Sequence, residues 1–321
     1  MDHFRNILFV ADDQSAYERA LDRVCALAES AAAKVTLIDT IDSGGARDLS
    51  RFFPIAPGVG PKEVASKVIN VRRNRLEARA ESLRAHGIDV TTHVLIGTPF
   101  IEVIRQVLRG GHDLVIKGAH RSGGRAFFPG ADMHLLRKCP CPVWILNATA
   151  APTCQRILVA VDPQEDDPTR DDLNHRIMTL GTTLARQDGA KLDVVNVWHL
   201  REEASLRHGL AKIPEADVNA MVAKEKSDSE ALLQALVAQY SDFDDIMRVL
   251  HIKGVAEDVI PEHVAAEGID TIVMGSLART GVAGLFIGNT AETILNHVTC
   301  SVLTVKADGF VSPVEFEKDT A

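Results

Sequence analysis

The sequence predicts an α/β protein made of one small domain written twice, each copy a doubly wound open sheet of about five parallel strands. Three observations predict it. The chain has 321 residues, more than one typical domain needs. Ile7-Leu-Phe-Val-Ala-Asp12 returns as Ile157-Leu-Val-Ala-Val-Asp162, and His112-Asp-Leu-Val-Ile-Lys-Gly118 returns as Ile269-Asp-Thr-Ile-Val-Met-Gly275, in the same order. Within each half, short apolar runs alternate with segments of helical spacing, which implies parallel strands joined by right-handed crossovers.

The second half states the unit most clearly. Arg156–Val161 is short, continuous and β-branched, as a strand buried on both faces should be. Asp171–Arg186 carries Leu173, Ile177, Leu180 and Leu184 at helical spacing and stops near Gly189, a natural C-cap. Strand Lys191–Trp198 follows, then a long helix over Val218–Gln239. After it come strand Ile246–Ile252, helix Ala256–Ala266, strand Thr271–Met274, helix Ala291–Val298 and strand Val302–Val305. The first half repeats the plan with strands at Ile7–Ala11, Val35–Ile38, Val90–Leu95, Leu114–Lys117 and Val143–Leu146. An excursion over Phe52–Gly60, with two Pro and two Gly, precedes its long helix Ser66–Ala85. The join falls in Ala148–Gln155, which is small and polar. One domain is expected over residues 1–149 and the other over 154–310, with an acidic tail over 311–321; the chain after Lys306 is expected to be loosely ordered.

Composition narrows the function. No apolar run reaches the roughly 18 residues of a membrane span, and the N-terminus lacks the h-region and cleavage site of a signal peptide, so a cytoplasmic protein is expected. Residues 1–150 hold 20 Lys and Arg against 16 Asp and Glu; the remainder holds 15 against 28, an asymmetry that reads as a solvated acidic surface on the second half or, alternatively, as mutual attraction between the halves. No basic cluster with interleaved aromatics marks a nucleic-acid surface. Five cysteines are an odd count, and Cys139-Pro-Cys141 lacks the spacing or further ligands of a redox or metal motif, so both are expected to be buried reduced thiols.

In open α/β sheets ligands gather beyond the C-terminal strand ends. That directs attention to Asp12 and Asp162 after the first strands, Gly97 and Gly254 after the third, and Gly118 and Gly275 after the fourth. The stretch Met274-Gly-Ser-Leu-Ala-Arg-Thr-Gly-Val-Ala-Gly-Leu-Phe-Ile-Gly-Asn-Thr-Ala-Glu292 resembles the nucleotide loop of universal stress proteins, whose ATP-binding members carry Gly-x2-Gly-x9-Gly-Ser/Thr. Phe286-Ile-Gly-Asn-Thr-Ala-Glu292, Leu135-Leu-Arg-Lys-Cys-Pro140 and the Pro-Val-Glu of the tail resemble the tandem, E-type members in particular. The resemblance runs from Asn6 to about Glu317. It implies the universal stress protein (adenine nucleotide alpha hydrolase-like) fold and a pseudo-dimer whose two last strands meet across an internal two-fold.

The resemblance also implies site residues. Gly275 and Gly288 match the first and third glycines, with Ser276 between them in sequence; Ala278 replaces the middle glycine, and Asn289, followed by Thr290, replaces the terminal Ser/Thr. Asp162 would face the adenine–ribose end and Val197 would offer backbone to the base, with Gly254 on the same rim. The ligand so implied is ATP or a related adenine nucleotide, its phosphates taken by loop N–H groups and a helix N-terminus. A structural reading stands beside it: Asn289-x-x-Glu292 is a capping pair, and Ala278 adds a methyl where a phosphate would approach. The first-half loop Gly118–Gly130 is one residue shorter and leads to Asp132, an expected helix N-cap that would repel phosphate; Phe127 and Phe128 there suit core packing or an apolar ligand. No Gly-x-Ser-x-Gly elbow, complete Walker loop or His-Glu-x-x-His occurs, and His120, His134 and His297 are isolated. The expected function is a non-catalytic stress-response protein, with a nucleotide-dependent switch or slow ATPase, and a carrier of a small partly apolar metabolite, as alternatives; homo-oligomers are compatible with each.

Overall fold

The fold was analysed in a computed structural model that describes residues 4–11, 17–42, 61–119, 130–147, 150–209, 213–276 and 288–315. The excursion over 52–60, Asp12, most of the two candidate loops (with Ala278, Phe127 and Phe128) and His120 lie outside these residues.

The strands are β1 (Asn6–Val10), β2 (Lys34–Ile41), β3 (Val90–Ile96), β4 (Leu114–Gly118) and β5 (Val143–Leu146) in the first half. In the second they are β6 (Arg156–Ala160), β7 (Lys191–Trp198), β8 (Met247–Lys253), β9 (Thr271–Gly275) and β10 (Ser301–Val305). The helices between them are α1 (Tyr17–Ala31), α2 (Pro61–Ala85), α3 (Pro99–Gly110), α4 (Gly130–Lys138), α5 (Pro168–Asp188), α6 (Glu203–His208), α7 (Glu215–Val237), α8 (Ala256–Glu267) and α9 (Asn289–His297). Boundaries have local causes. Asp167 accepts a hydrogen bond from the Arg170 N–H at 3.1 Å and Pro168 opens α5, while Gly189 closes it in the left-handed conformation (φ 66°).

The two five-stranded sheets meet at their last strands, Val143–Leu146 and Ser301–Val305, as the resemblance implies, and so run on as one. The order is β3-β2-β1-β4-β5-β10-β9-β6-β7-β8, parallel throughout except where β5 meets β10 antiparallel. Val302 faces Ile145, Leu303 faces Trp144 and Thr304 faces Val143. Trp144 and Leu303 hold the same place in the repeated unit, so the internal two-fold passes between them. Each half thereby covers the other's exposed edge, and the physical reason for fusion into one sheet is that an unpaired edge leaves N–H and C=O groups unmatched. β4, β5 and β10 are buried along their whole length, which is why they read as continuous apolar runs.

Contacts across the two-fold carry charge as well as apolar area. Arg23 on α1 pairs with Asp188 of α5 at 2.8 Å, both almost wholly buried, and Arg137 on α4 pairs with Glu292 of α9. Both bonds run from a first-half arginine to a second-half acid, in line with the charge asymmetry. The chain after β10 is not loose as far as Glu315. Lys306 is buried with its Nζ donating to the Leu136 carbonyl, Ser312 Oγ donates to the Lys138 carbonyl at 2.7 Å, and Val314 packs on the core. The last stretch is thus laid on α4, because the carbonyls ending that helix need donors.

Candidate functional site

At the C-terminal rim of the second half the sequence-derived positions come together around β6, β7, β8 and β9. Gly275 ends β9 where an added Cβ would stand 2.6 Å from Leu173 Cδ2, and a Cβ at Gly254 would stand 2.6 Å from Val259 Cγ2. A side chain at either place would push its neighbour aside, whatever else the glycines do. Asp162 is exposed and held by Arg170 at 2.5 Å, while its own N–H donates to Asn174 Oδ1 at 2.9 Å. Val197 is half-buried in β7 opposite Ile252. Ser276 is buried and accepts a hydrogen bond from Lys306 Nζ.

The helix-opening residues depart from the expected cap. Gly288 is the N-cap of α9, with no side-chain cap bond. Glu292 reaches Arg137 of the other half instead of folding back, and Thr290 Oγ1 donates to Glu257 Oε1 at 2.7 Å. A guanidinium offers a carboxylate a charge-assisted partner that a backbone N–H does not match, so Glu292 leaves the helix start.

Sequence reasoning missed a polar relay behind this rim. Asn196, buried in β7, donates to the Val161 carbonyl at 3.1 Å and accepts from Ser229 Oγ at 3.1 Å. His251 Nε2 lies 3.1 Å from the same hydroxyl, and its ring stacks on Trp198 with centroids 5.4 Å apart. Lys253 Nζ sits 5.7 Å over Trp198 and pairs with Glu203 at 2.7 Å. The one signal available was a lone Asn in the apolar strand Lys191–Trp198, since a buried amide must find partners.

The first half places its own charges at the equivalent rim, which the antiparallel β5–β10 junction puts on the opposite edge of the sheet. Asp39, which holds the place of Asn196, accepts from Arg72 Nη1 at 3.1 and 3.0 Å; burial raises its pKa despite that neighbour. Arg79 donates to the Ala11 carbonyl at 3.0 Å, as Asn196 does to Val161. Asp132 is not a helix cap. It lies in the first turn of α4, fully buried and 3.0 Å from Lys117 Nζ, because a buried ammonium draws the nearest carboxylate inward. Counting back from the paired last strands, Met274 and Ala291 take the places of Lys117 and Asp132 in the second half, and both belong to the core. Gly97 and Gly118 follow or end β3 and β4 as expected. His134 stacks on Phe100 at 4.4 Å, and His297 bonds the Thr293 carbonyl within its own helix.

Cys139 and Cys141 are buried free thiols with Sγ atoms 3.6 Å apart, and their mutual hydrogen bond followed by burial raises the Cys141 thiol well above its ordinary value. No group of three or more metal-ligating side chains occurs among the described residues, and no helix there is long and apolar enough to cross a membrane.

Comparison with known proteins agrees with this architecture. The model of the universal stress protein family matches residues 3–147 and again 153–306. Universal stress protein E of Escherichia coli K12 is 30% identical over 259 residues, 78% of this chain and 79% of that one. The protein of the same description from Photorhabdus laumondii is 27% identical over 334 residues, 99% of this chain and all of its own. Among solved structures, a functionally unknown protein from Pseudomonas aeruginosa (TM-score 0.69, 22% identity, 95% and 93% of the two chains) and a universal stress protein from Archaeoglobus fulgidus (0.63, 15%, 94% and 96%) share the fold. The chain belongs to the universal stress protein family, as a tandem member of the E type. That membership implies a role in the stress response.

Proposed function

We propose that the protein is a non-catalytic stress-response protein whose second half takes an anionic ligand, an adenine nucleotide being the first candidate, while the first half serves as its structural partner. One observation carries the reading: at matched positions the first half buries the Lys117–Asp132 pair, and the second half has Met274 and Ala291. A carboxylate beside the start of α4 opposes an anion there. In the second half α9 opens on Gly288 without a side-chain cap, and Glu292 is drawn off by Arg137, so the positive end of that helix keeps its N–H groups for a ligand. Asp162, Val197, Gly254, Gly275, Ser276, Asn289 and Thr290 border the same rim, and Ala278 belongs to its loop.

Native mass spectrometry of untreated protein identifies any ligand carried through purification. In ATP titrations, Gly288→Asp weakens binding by about 1 kcal/mol or more, and Ala278→Gly strengthens it. Tight binding that Gly288→Asp leaves unchanged, or labelled nucleotide cross-linked beside Asp132, overturns the assignment of the site; multiple-turnover hydrolysis overturns the non-catalytic reading.

A further inference from the structure

The two halves differ at one more pair of matched positions. The sheet register sets Gly118 beside Leu146 and Gly275 beside Val305, so Ala119 and Asn147 in the first half hold the places of Ser276 and Lys306 in the second. The backbone agrees: the Ala119 N–H donates to the Leu146 carbonyl at 2.7 Å, and the Ser276 N–H to the Val305 carbonyl at 3.2 Å. Asn147 is half-buried and its amide donates to the Thr299 carbonyl. Lys306 is almost wholly buried, and its Nζ donates to the Leu136 carbonyl and to the hydroxyl of Ser276, which is buried too.

Ser276 directly follows Gly275, so a buried amine and a buried hydroxyl stand behind the start of the second-half loop. The first half also buries an amine near its rim, Lys117, but supplies Asp132 at 3.0 Å. Lys306 has no such partner among the described residues. Around its Nζ are two neutral oxygens and the face of Phe310, 5.2 Å away. A buried ammonium without a carboxylate is costly, and a bound anion would offset that cost.

We propose, on the reading that the second half takes an anion, that Lys306 is the counter-ion of that site: an anion bound at the rim is neutralised by a proton taken up on Nζ. As an ammonium Nζ only donates, so Ser276 Oγ accepts from it and the serine hydrogen is left for the anion. The charged groups on the surrounding elements are engaged elsewhere. Arg137 holds Glu292, Lys138 lies 4.9 Å over Phe100, and Asp308 pairs with Arg176 at 3.5 Å. Glu257 takes the Thr290 hydroxyl, His134 stacks on Phe100 and His297 bonds the Thr293 carbonyl. That leaves the thiols of Cys139 and Cys141 as the titratable groups facing Lys306. Burial holds the free amine at about 7, and a bound anion acts in the opposite direction. Above that value the free protein carries a neutral amine and the complex an ammonium, so affinity falls as pH rises. Below it the amine is already charged and the dependence flattens.

Calorimetric titration with ATP tests this above about pH 7.5, where the phosphates are fully ionised. Comparing two buffers of different ionisation enthalpy counts the protons taken up. Uptake approaches one proton per ATP, and affinity falls by as much as about tenfold per pH unit, the limit for a single proton. Lys306→Met binds ATP more weakly, with no uptake and no pH slope. If that variant does not fold, Lys306→Arg serves: its side chain stays charged, so binding persists without uptake. Binding by the parent with no proton uptake overturns Lys306 as the counter-ion and leaves the anion site standing, as does uptake that either variant retains. No saturable heat with ATP or with sulfate overturns the site itself, and the inference with it.

Discussion

Lys306 shows how one residue at the end of a strand acquires unusual chemistry. It follows β10, is 2% exposed, and places Nζ among the Leu136 carbonyl, the Ser276 hydroxyl and the face of Phe310. None of these partners is a formal anion. Burial therefore dominates and pushes its pKa down from 10.5 to about 7. Between those values the unfolded chain holds a proton that the folded chain has released, so stability rises with pH across that window and levels off below it. Urea unfolding at a series of pH values should show this slope in the parent and lose it in Lys306→Met, with the variant's relative advantage greatest at and below neutral pH. A slope that survives the substitution would show that another group carries it. Asp132 depends on its surroundings in the same way. Its position in the sequence suited a cap, but the presence of Lys117 on the neighbouring strand, visible only in the fold, decided its role.

At the scale of elements, helix α5 lies closer to the sheet than a side chain at its centre would allow. Gly181 faces β6, and a Cβ there would stand 2.1 Å from Val159 Cγ1. Val159 is fully buried and β-branched, so it has little freedom to turn aside. Gly181→Ala should cost about 1–3 kcal/mol through overpacking, even though alanine is the better helix former. Denaturant midpoints of the parent and variant measure this directly, and an unchanged or raised midpoint would mean that helix and sheet can separate without loss. Most elements were legible because both faces of each central strand are covered and the helices between them keep a 3.6-residue period. The short helix Glu203–His208 was not, since none of its residues is buried and it therefore leaves no apolar period.

The whole molecule is tied together through β5 and β10. Arg23–Asp188 joins the halves in a buried ion pair whose loss on one side leaves an unmatched charge, an effect of about 3–5 kcal/mol. Because the sheet is continuous and this pair spans it, the two halves should unfold in one calorimetric transition. Leu303→Asp places a charge at the two-fold, opposite Trp144, and should split that transition in two or lower it sharply. Two independent transitions in the parent would show that the shared strands do not couple the domains. Cross-linking or native mass spectrometry of the same variants reports whether the uncovered β5 and β10 edges then recruit a second chain.

The sequence by itself determined the duplication, the strand–helix alternation, the family and the asymmetry between the two loops that follow the fourth strand of each half. These are local or periodic properties, written in runs such as Ile157–Val161 and in glycines at set intervals. Only the tertiary structure decided which groups face one another. It drew Glu292 from its helix start to Arg137, placed Asp132 on Lys117 and laid residues 306–315 on α4. The physical reason is common to all three. A charge or a sheet edge is satisfied by whatever partner folding brings within about 3 Å, and that partner has no fixed distance along the chain.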